Sequence, residues 1–334
     1  MTTRELADDS ATMNLRILGK SGLRVSELCL GAMTFGTDWG FGADEKVSGE
    51  VYRLFREAGG NFVDTANNYT NGASEEILGR LVAGERDDVV ISTKYSLPTT
   101  QGDPNSGGNH RKSLRRSVET SLRRLGTDYI DLLWVHAWDQ CTPIQETLRA
   151  LDDLVRSGKV LSVGVTNMPA WVVARSDAIA ELRGWMSFCA MQVEYSLVAR
   201  TPERELLPMA RELNIAVCAW SPLARGLLTG KPPGGRRQLS ASAMQTIEVV
   251  KEVASELEST PARVALAWVI EQGLMPSVGA RTPEQLRDNL GAPGVRLDQS
   301  HLDRLDKASR IRLGYPHDFL HERRDMFTPP TRRI

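Results

Sequence analysis

Three polar residues of this sequence stand where short apolar runs end, and a tyrosine closely follows the first of them. The three are Asp64, Lys94 and His136, and the tyrosine is Tyr69. A phenol can donate a proton to a developing alkoxide when a neighbouring cation lowers the pKa of the phenol. Lys94 would be that cation, and Asp64 would orient it by ion pairing. His136 would donate a hydrogen bond to a carbonyl oxygen.

Taken singly, each of these residues also has an ordinary structural interpretation. Asp64 could cap the segment that follows it. Lys94 could be a surface lysine, and His136 could be a hydrogen-bonded structural histidine. The chemical interpretation therefore requires an architecture that brings the four side chains together.

Eight short apolar segments alternate with helical patterns along the chain. The segments begin near residues 26, 61, 88, 129, 160, 189, 215 and 275, and helices are predicted at 44–58, 73–83, 111–125, 143–156, 169–181, 202–212, 261–271 and 282–291. Apolar strands alternating with helices indicate a parallel sheet covered by helices, and eight such units favour closure into a (β/α)8 TIM barrel. An open doubly wound sheet is the alternative, but GAMTFG follows the first strand where GxGxxG would be expected.

The segments outside these units predict the domain organisation. LRILGKSGLR at 15–24 is typical of a β-hairpin, and the Gly- and Pro-rich stretches at 95–110 and 220–240 are predicted to be loops after strand ends. We therefore predict a flexible tail at 1–14, a single barrel domain with extra helices at 15–313, and an irregular C-terminal tail at 314–334 that packs on or near the barrel.

The composition excludes several classes of function. The chain has 41% hydrophobic residues, 25% charged residues and a formal net charge of −1, so it lacks the basic surface expected for binding nucleic acid or an anionic membrane. No apolar stretch approaches the ~20 residues that span a bilayer. The polar first residues are unlike a signal peptide, and the four cysteines form no CxxC pair. These features predict a cytoplasmic protein with reduced thiols.

Several motifs, in the right order, carry a resemblance to a known family. The segment NFVDTANNY and the residues that follow it to Gly79 resemble the first signature of the aldo-keto reductases. ISTK, ending at Lys94, resembles the family's lysine strand, and YIDLLWVH, ending at His136, resembles its histidine strand. The resemblance covers nearly the whole chain. It implies hydride transfer from NADPH to a small-molecule carbonyl substrate, with Tyr69 as proton donor in a tetrad completed by Asp64, Lys94 and His136.

The same resemblance implies a nicotinamide cofactor, NADPH or NADP+, and the residues that hold its reactive end. Thr166 and Asn167 look like the family's Ser-Asn pair, which holds the nicotinamide carboxamide, and threonine keeps the hydroxyl of the serine. Gln192 is expected to contact the same carboxamide. Trp220 stands where the family often stacks an aromatic side chain on the nicotinamide, and Asp64 is expected to lie nearby.

The segment WSPLARGLLTGK at 220–231 resembles the family's pyrophosphate-binding loop. Backbone amides of Leu223 and Gly226, together with the cation Lys231, are expected to neutralise phosphates. The other expected cofactor contacts from the first strand end, this loop and the last strand end are Gly31, Met33, Thr34, Ser221, Arg225, Leu228 and Gly279.

The segment after the last strand predicts the choice between NADP(H) and NAD(H). Thr282 can cap a helix whose first position is a proline, and Gln285 and Asn289 share one face of that helix. The resemblance implies that Arg281 binds the adenosine 2′-phosphate and that Gln285 and Asn289 reach the adenine. An arginine at this position favours NADP(H).

The sequence lacks the motifs of two other chemistries. The five histidines form no HxH pair and no GxSxG motif is present, so neither a metal site nor an esterase is predicted.

The motifs most resemble the branch of aryl-alcohol dehydrogenase-like enzymes and potassium-channel β subunits. This resemblance predicts aromatic aldehydes as the first substrates to test, then methylglyoxal and small ketones. A regulatory subunit of channel-β type and a sugar or polyketide ketoreductase are the alternatives. Monomer and homo-oligomer stay open.

Overall fold

Eight parallel strands of the chain close into a barrel in this computed structural model, which describes residues 13–230 and 239–327. The strands are β1 (Leu15–Ile17), β2 (Arg24–Ser26), β3 (Cys29–Gly31), β4 (Phe62–Asp64), β5 (Val90–Tyr95), β6 (Ile130–Val135), β7 (Val160–Thr166), β8 (Ala190–Glu194), β9 (Ala216–Trp220) and β10 (Met275–Val278). Each of β3 to β10 pairs with the next strand along the chain, and β10 pairs back with β3. The predicted TIM barrel is confirmed, and the doubly wound sheet is excluded.

Helices cover the outside of the barrel, most of them between successive strands and the last four after β10. They are α1 (Glu45–Glu57), α2 (Ala73–Val82), α3 (Arg111–Leu125), α4 (Ile144–Arg156), α5 (Ala170–Arg183), α6 (Leu206–Glu212), α7 (Ala241–Glu256), α8 (Pro261–Glu271), α9 (Pro283–Leu290), α10 (Gln299–Ser309), α11 (His317–Glu322) and α12 (Arg324–Phe327). The helices predicted at 111–125 and 261–271 agree with α3 and α8 to the residue, and the other predicted helices differ at their ends.

Helix α3 shows how the local sequence specifies an element. Its buried apolar residues include Leu114, Val118, Leu122 and Leu125, which recur every three or four positions and so lie on one face. The helix ends at Gly126, whose φ of 64° is left-handed and favours glycine. The apolar face packs on the barrel, while the arginine-rich face is left to solvent.

Alternation along the strands divides the apolar core into two layers. On β6, Leu133 and Val135 belong to the layer between barrel and helices, whereas Leu132 and Trp134 belong to the layer inside the barrel. The inner layer also includes Phe62 and all three buried thiols, those of Cys29, Cys189 and Cys218. A closed barrel therefore has a filled interior.

The predicted hairpin is confirmed and lies against the barrel at the N-terminal ends of the strands. β1 and β2 are antiparallel, and Leu18 and Val25 contribute to the inner layer. The backbone N–H of Leu18 donates to the carbonyl of Leu23 at 2.9 Å. The hairpin therefore closes this end of the barrel with apolar side chains and leaves the other end for chemistry.

Two parts of the chain differ from their predictions. The segment before α8 contains the sixteen-residue helix α7, which was not predicted, although Ser240 caps it through a hydrogen bond to the N–H of Ala243 at 3.1 Å. The segment from residue 314 was predicted to be irregular, yet it forms α11 and α12 as far as it is described. His317 contacts Glu205 at 2.9 Å beside α6, so this segment packs on the flank of the barrel.

Residues 1–12, most of the predicted N-terminal tail, lie outside the described residues, as do 231–238 and 328–334. The two remaining tail residues both contact the rest of the chain, although Asn14 is exposed. Met13 is buried, and the backbone N–H of Asn14 donates to the side chain of Glu27 at 3.1 Å. The domain boundaries at 14 and 313 stay predictions.

The hairpin turn provides a test of how tightly this end of the barrel is closed. Gly19 has a φ of +55°, and a Cβ there would lie 2.1 Å from the carbonyl oxygen of Cys189. We expect Gly19→Ala to lower the free energy of unfolding by about 2–4 kcal/mol, through both overpacking and backbone strain. Gly22→Ala in the same turn is the matched control, because a Cβ there meets nothing within 4 Å. Urea denaturation curves that coincide for the two variants would contradict this account.

Candidate active site

A buried ion pair between Asp64 and Lys94 lies at the mouth of the barrel. Asp64 ends β4, and Lys94 is the penultimate residue of β5, with no exposed side-chain surface. The ammonium donates to the Asp64 carboxylate and, at 2.8 Å, to the backbone carbonyl of Thr65. Burying two charges is costly unless they pair and fill their remaining hydrogen-bonding positions. The two residues predicted to form an ion pair do so.

The Asp64 carboxylate accepts hydrogen bonds from three further side chains. Ser92 Oγ donates to Oδ1 at 2.6 Å, Trp134 Nε1 donates to the same oxygen at 3.0 Å, and Gln192 Nε2 donates to Oδ2 at 3.1 Å. Ser92 and Trp134 were not predicted to be part of the site. The alternation of side chains along each strand could have indicated that Ser92 and Trp134 face the barrel interior. No pattern in the sequence indicated that side chains from three strands bond one carboxylate.

Tyr69 lies directly above this ion pair, in a short turn that follows β4. The Lys94 Nζ is 4.7 Å from the centroid of the phenol ring, and the ring of His136 meets it edge-on at 5.9 Å between centroids. The turn contains two left-handed residues, Thr70 at φ 44° and Asn71 at φ 57°. Such strain persists only where the surroundings enforce it. The four predicted tetrad residues are thus brought together.

The ionisation behaviour of these groups follows from their burial. Burial acts to lower the pKa of Lys94, but the charges of Asp64 and Tyr69 outweigh it and raise that pKa to about 12. Burial raises the pKa of the Tyr69 phenol, and Lys94 opposes this rise only in part. The expectation that the cation lowers the pKa of Tyr69 overall is therefore wrong, because the loss of hydration outweighs the cation.

His136 is held as a neutral imidazole. Burial, with a smaller contribution from the Lys94 charge, lowers the pKa of His136 from 6.5 to about 3. Its backbone N–H donates to the carbonyl of Tyr95 at 2.9 Å, which fixes the start of the loop. The side-chain Nδ1 is buried and has no hydrogen-bond partner among the described residues. A buried polar atom without a partner beside the phenol suits a site that takes a polar guest.

The residues predicted to hold a carboxamide border this site. Thr166 pairs in register with Gln192 across β7 and β8, so both lie beside the tetrad. The Asn167 side chain donates from Nδ2 to the carbonyl of His136 at 2.9 Å. The amide nitrogens of Asn167 and Gln192 both donate to the protein, and the oxygen of each amide is a further acceptor. An amide oxygen can accept from the NH2 of a carboxamide.

Trp220 ends β9 at the same mouth and is partly exposed, as a ring that stacks on a flat guest must be. Tyr195 is the other aromatic residue in this region of the sequence. It points away from the mouth, stacks on Trp268 at 5.4 Å between centroids, and donates to Glu203 at 2.6 Å. Of these two aromatic residues, only Trp220 therefore lies at the barrel mouth.

The loop after β9 has an unusual backbone. Ser221, Ala224, Arg225 and Gly226 all have positive φ, between 50° and 92°. The prediction that the Gly226 amide faces a phosphate is not supported, because this N–H donates to the carbonyl of Leu223 at 2.9 Å. Of two further predicted contacts, only one belongs to the described residues. Leu228 is buried, so only its backbone could meet a guest, and Lys231 lies outside the described residues.

The predicted adenosine end forms around the start of α9. The Thr282 side chain caps this helix by accepting from the N–H of Gln285 at 3.3 Å. Gln285 Oε1 accepts from the backbone N–H of Arg281 at 2.9 Å, while the guanidinium of Arg281 is exposed. No carboxylate of the described residues pairs with that guanidinium. Asn289 lies one turn further along α9 and is buried.

The ends of β3 and β10 connect this region to the tetrad. The two strands are paired, and Gly31 at the end of β3 is in register with Asp64. Thr34 Oγ1 donates to the carbonyl of Ala280 at 3.1 Å, which ties the loop after β3 to the loop after β10. Met33 is exposed between them, and Gly279 follows β10. The described residues predicted to bind a cofactor thus lie at or after the C-terminal ends of β3, β4 and β7 to β10, six adjacent strands of the barrel.

Aromatic side chains that were not predicted flank the phenol. Trp39, in the loop after β3, meets the ring of Tyr69 edge-on at 6.2 Å and lies 6.0 Å from the ring of Phe41. Phe41 is 46% exposed, although it is a large apolar residue. Loop residues carry little periodic signal, so only the fold places these rings beside Tyr69.

Comparisons with known proteins agree with this geometry. A model of the Aldo/keto reductase family matches residues 27–310. The chain is 37% identical to a norsolorinic acid reductase of Emericella nidulans, over 90% of this chain and 83% of that protein. It is 36% identical to an aryl-alcohol dehydrogenase of Pestalotiopsis microspora, over 91% and 84%, and 40% identical to an uncharacterized oxidoreductase of Bacillus subtilis, over 88% and 95%.

Two further structural findings concern metal binding and membrane spans. Within residues 13–230 and 239–327, no three His, Cys, Asp or Glu side chains are grouped to hold a metal ion. None of the helices in that part of the chain combines the length and apolarity that a membrane span requires.

The low pKa of His136 predicts how stability depends on pH. A neutral imidazole stabilises the folded state fully above its unfolded pKa of about 6.5, and this contribution is lost as pH falls toward about 3. Between pH 6 and 4, the free energy of unfolding should therefore fall more steeply for wild type than for His136→Asn, by about 1 kcal/mol per pH unit. Urea titrations at several pH values measure both slopes. Parallel slopes would show that the imidazole becomes charged in the folded protein.

Proposed function

The chain belongs to the aldo-keto reductase family, and on that premise we propose that it reduces an aldehyde or ketone to the alcohol with NADPH, using Tyr69 as the proton donor. Family membership makes it an oxidoreductase that acts on carbonyls. The observation that carries the finer proposal is the buried ion pair of Asp64 and Lys94 directly beneath the Tyr69 phenol. Surface or capping roles do not account for a fully buried lysine.

The position of Tyr69 supports the proton-transfer step. Because burial raises the pKa of the phenol, Tyr69 keeps its proton at neutral pH. The Lys94 ammonium stabilises the phenolate that forms when the proton leaves for a developing alkoxide. Asp64 holds Lys94 in place, so the cation is oriented before the reaction begins.

His136 supports substrate positioning. With a pKa of about 3, the imidazole is neutral across the physiological range and carries one N–H. A neutral donor beside the phenol can bond the carbonyl oxygen without competing with Tyr69 as an acid. The edge-on contact of the two rings is consistent with both pointing toward one substrate oxygen.

The cofactor, when bound, would supply the hydride in the reaction of carbonyl, NADPH and a proton to alcohol and NADP+. The chain would hold the nicotinamide carboxamide with Thr166 and the amide oxygens of Asn167 and Gln192. It would hold the adenosine phosphate with Arg281. The exposed guanidinium at a helix start, with no carboxylate partner in the described chain, fits an anionic group there.

Aryl aldehydes and aryl ketones are the substrates that we propose to test first. Trp39 and Phe41 present aromatic surface beside Tyr69, and flat rings stack well on such surface. The names of two relatives, an aryl-alcohol dehydrogenase and a norsolorinic acid reductase, point in the same direction. A regulatory subunit with little turnover is not favoured, because the complete tetrad is assembled. Turnover of 4-nitrobenzaldehyde with NADPH would separate the two.

Substitution of the proposed proton donor tests the mechanism. Tyr69→Phe keeps the ring above Lys94 but removes the acid, so kcat for carbonyl reduction should fall by about 10²–10⁴-fold. The affinity for NADPH, measured by fluorescence titration, should stay within about twofold, since the phenol does not carry cofactor binding energy. Near-normal turnover would remove Tyr69 from this role.

Substitution of the proposed phosphate ligand tests the choice of cofactor. Arg281→Ala should weaken NADPH binding by about 10- to 100-fold, the range of a charge-assisted hydrogen bond, and leave NADH binding unchanged. Arg287→Ala, on the helix that begins just after Arg281, is the matched control, because that exposed arginine pairs with Glu284 at 3.4 Å. If the Arg281 variant binds both cofactors as wild type does, the assignment of the 2′-phosphate site is wrong.

A further inference from the structure

The Trp134 indole makes a contact that packing alone does not require. Trp134 is fully buried in the inner layer of the barrel, where an apolar side chain would be the ordinary choice. Its N–H points to the Asp64 carboxylate at 3.0 Å. The residue is in register with Lys94 on the neighbouring strand. The ring therefore lies beside the ion pair and bonds its anionic half.

The position of this ring is fixed from the opposite side. Gly164 on β7 lies in register with Trp134, and a Cβ at Gly164 would come within 2.4 Å of the indole ring and 3.0 Å of the Ala190 carbonyl oxygen. The absence of a side chain at Gly164 thus makes the room that the indole occupies. The missing side chain on β7 and the large side chain on β6 thus together place the indole N–H at Asp64.

The donors divide between the two oxygens of the carboxylate. Oδ2 accepts from Lys94 and Gln192, whereas Oδ1 accepts from Ser92 and Trp134. Hydrogen bonds to Oδ1 draw negative charge toward that oxygen and away from the side that faces Lys94. Less of the ammonium charge is then neutralised, and more of it acts on the phenol above.

On the basis of the proposed function, we propose that Trp134 is a positioning residue for proton transfer by Tyr69. Its indole N–H holds Oδ1 of Asp64, so that the carboxylate orients Lys94 without cancelling the charge that Lys94 presents to the phenol. Trp134 touches neither substrate nor cofactor in this proposal. It acts through Asp64 and Lys94.

The other titratable groups around Tyr69 add no charge that competes with the ion pair. Lys94 lowers the pKa of the phenol and Asp64 raises it, next to the dominant effect of burial. The Cys29 thiol on β3 also contributes, but burial raises the pKa of that thiol well above its ordinary value, so it stays neutral. His136 on the other side is neutral as well. Among the groups that act on the phenol, only the ion pair is charged.

Replacement of the indole N–H by sulfur tests the proposal without changing the shape of the ring. In the full-length protein, Trp134→3-benzothienylalanine removes the donor. We expect kcat for aryl aldehyde reduction to fall by about tenfold, since a hydrogen bond to a charged group is worth at least that factor. The KM and the NADPH affinity should stay within about twofold. The Tyr69 pKa should rise, so the alkaline fall of the reduction rate, and the rise of the reverse oxidation rate, should both move to higher pH.

Trp268→3-benzothienylalanine is the matched control. Trp268 is also fully buried, and its indole N–H also donates to a carboxylate, that of Asp306 at 3.3 Å, but between helices on the barrel flank. A purely structural role for Trp134 predicts that both variants lower the melting temperature and leave the pH profiles in place. That outcome overturns the proposal, as does an unchanged kcat in the Trp134 variant.

Failure of the proposed function would be seen separately. If the wild-type protein reduces no aldehyde or ketone with NADPH, the proposed function is wrong. The inference is then decided by the ¹³Cζ resonance of Tyr69, assigned from Tyr69→Phe and followed with pH. The Trp134 variant should keep the protonated phenol to higher pH than wild type. Coincident titration curves up to the onset of unfolding overturn the inference whether or not turnover is found.

Discussion

The pairing of Asp64 with Lys94 inside the barrel mouth is the interaction on which the rest of the site depends. Two ions of this size lose several kcal/mol of hydration when buried, and only close pairing with full hydrogen bonding compensates for that loss. The protein meets this requirement with strands whose interior side chains the closed barrel brings together. β4 and β5 supply the pair, β6 and β8 supply donors to the carboxylate, and the carbonyl of Thr65 accepts from the ammonium. A cation in such surroundings is fixed in place before any substrate arrives.

The groups above the pair take their properties from it and from the exclusion of water. Burial alone would make Tyr69 a very weak acid, and Lys94 opposes that effect through space. The same burial and the same cation keep His136 neutral. The Tyr69 phenol, an acid, and the His136 imidazole, a neutral hydrogen-bond donor, thus lie side by side. The same burial and the same cation determine the protonation of both. The left-handed turn after Tyr69 holds the phenol over the ammonium, and strain of this kind is common where a side chain must be aimed.

Specific disagreements between sequence and structure have physical reasons. The phenol pKa was expected to fall, but the loss of hydration cannot be judged from spacing along a chain. The Gly226 amide was expected to meet a phosphate, yet the left-handed backbone around it turns this N–H to Leu223. Helix α7 was not predicted because it follows a Gly- and Pro-rich stretch, and its serine cap gave a weaker signal than the loop before it. Trp39 and Phe41 belong to a loop that has no periodic pattern to reveal their orientation.

The sequence by itself determined the eight strand-helix units, the bounds of helices such as α3, the hairpin and the four residue types of the tetrad. These features are encoded locally, by periodicity, by caps and by polar residues at the ends of apolar runs. Only the tertiary structure decided that Ser92, Trp134 and Gln192 bond the same carboxylate. Along the chain, Trp134 is one more apolar residue of a buried strand, and Gly164 is a small one. Their roles exist only through the register of β5, β6 and β7, because the closed barrel fixes which interior side chains meet and a single strand carries no record of its neighbours.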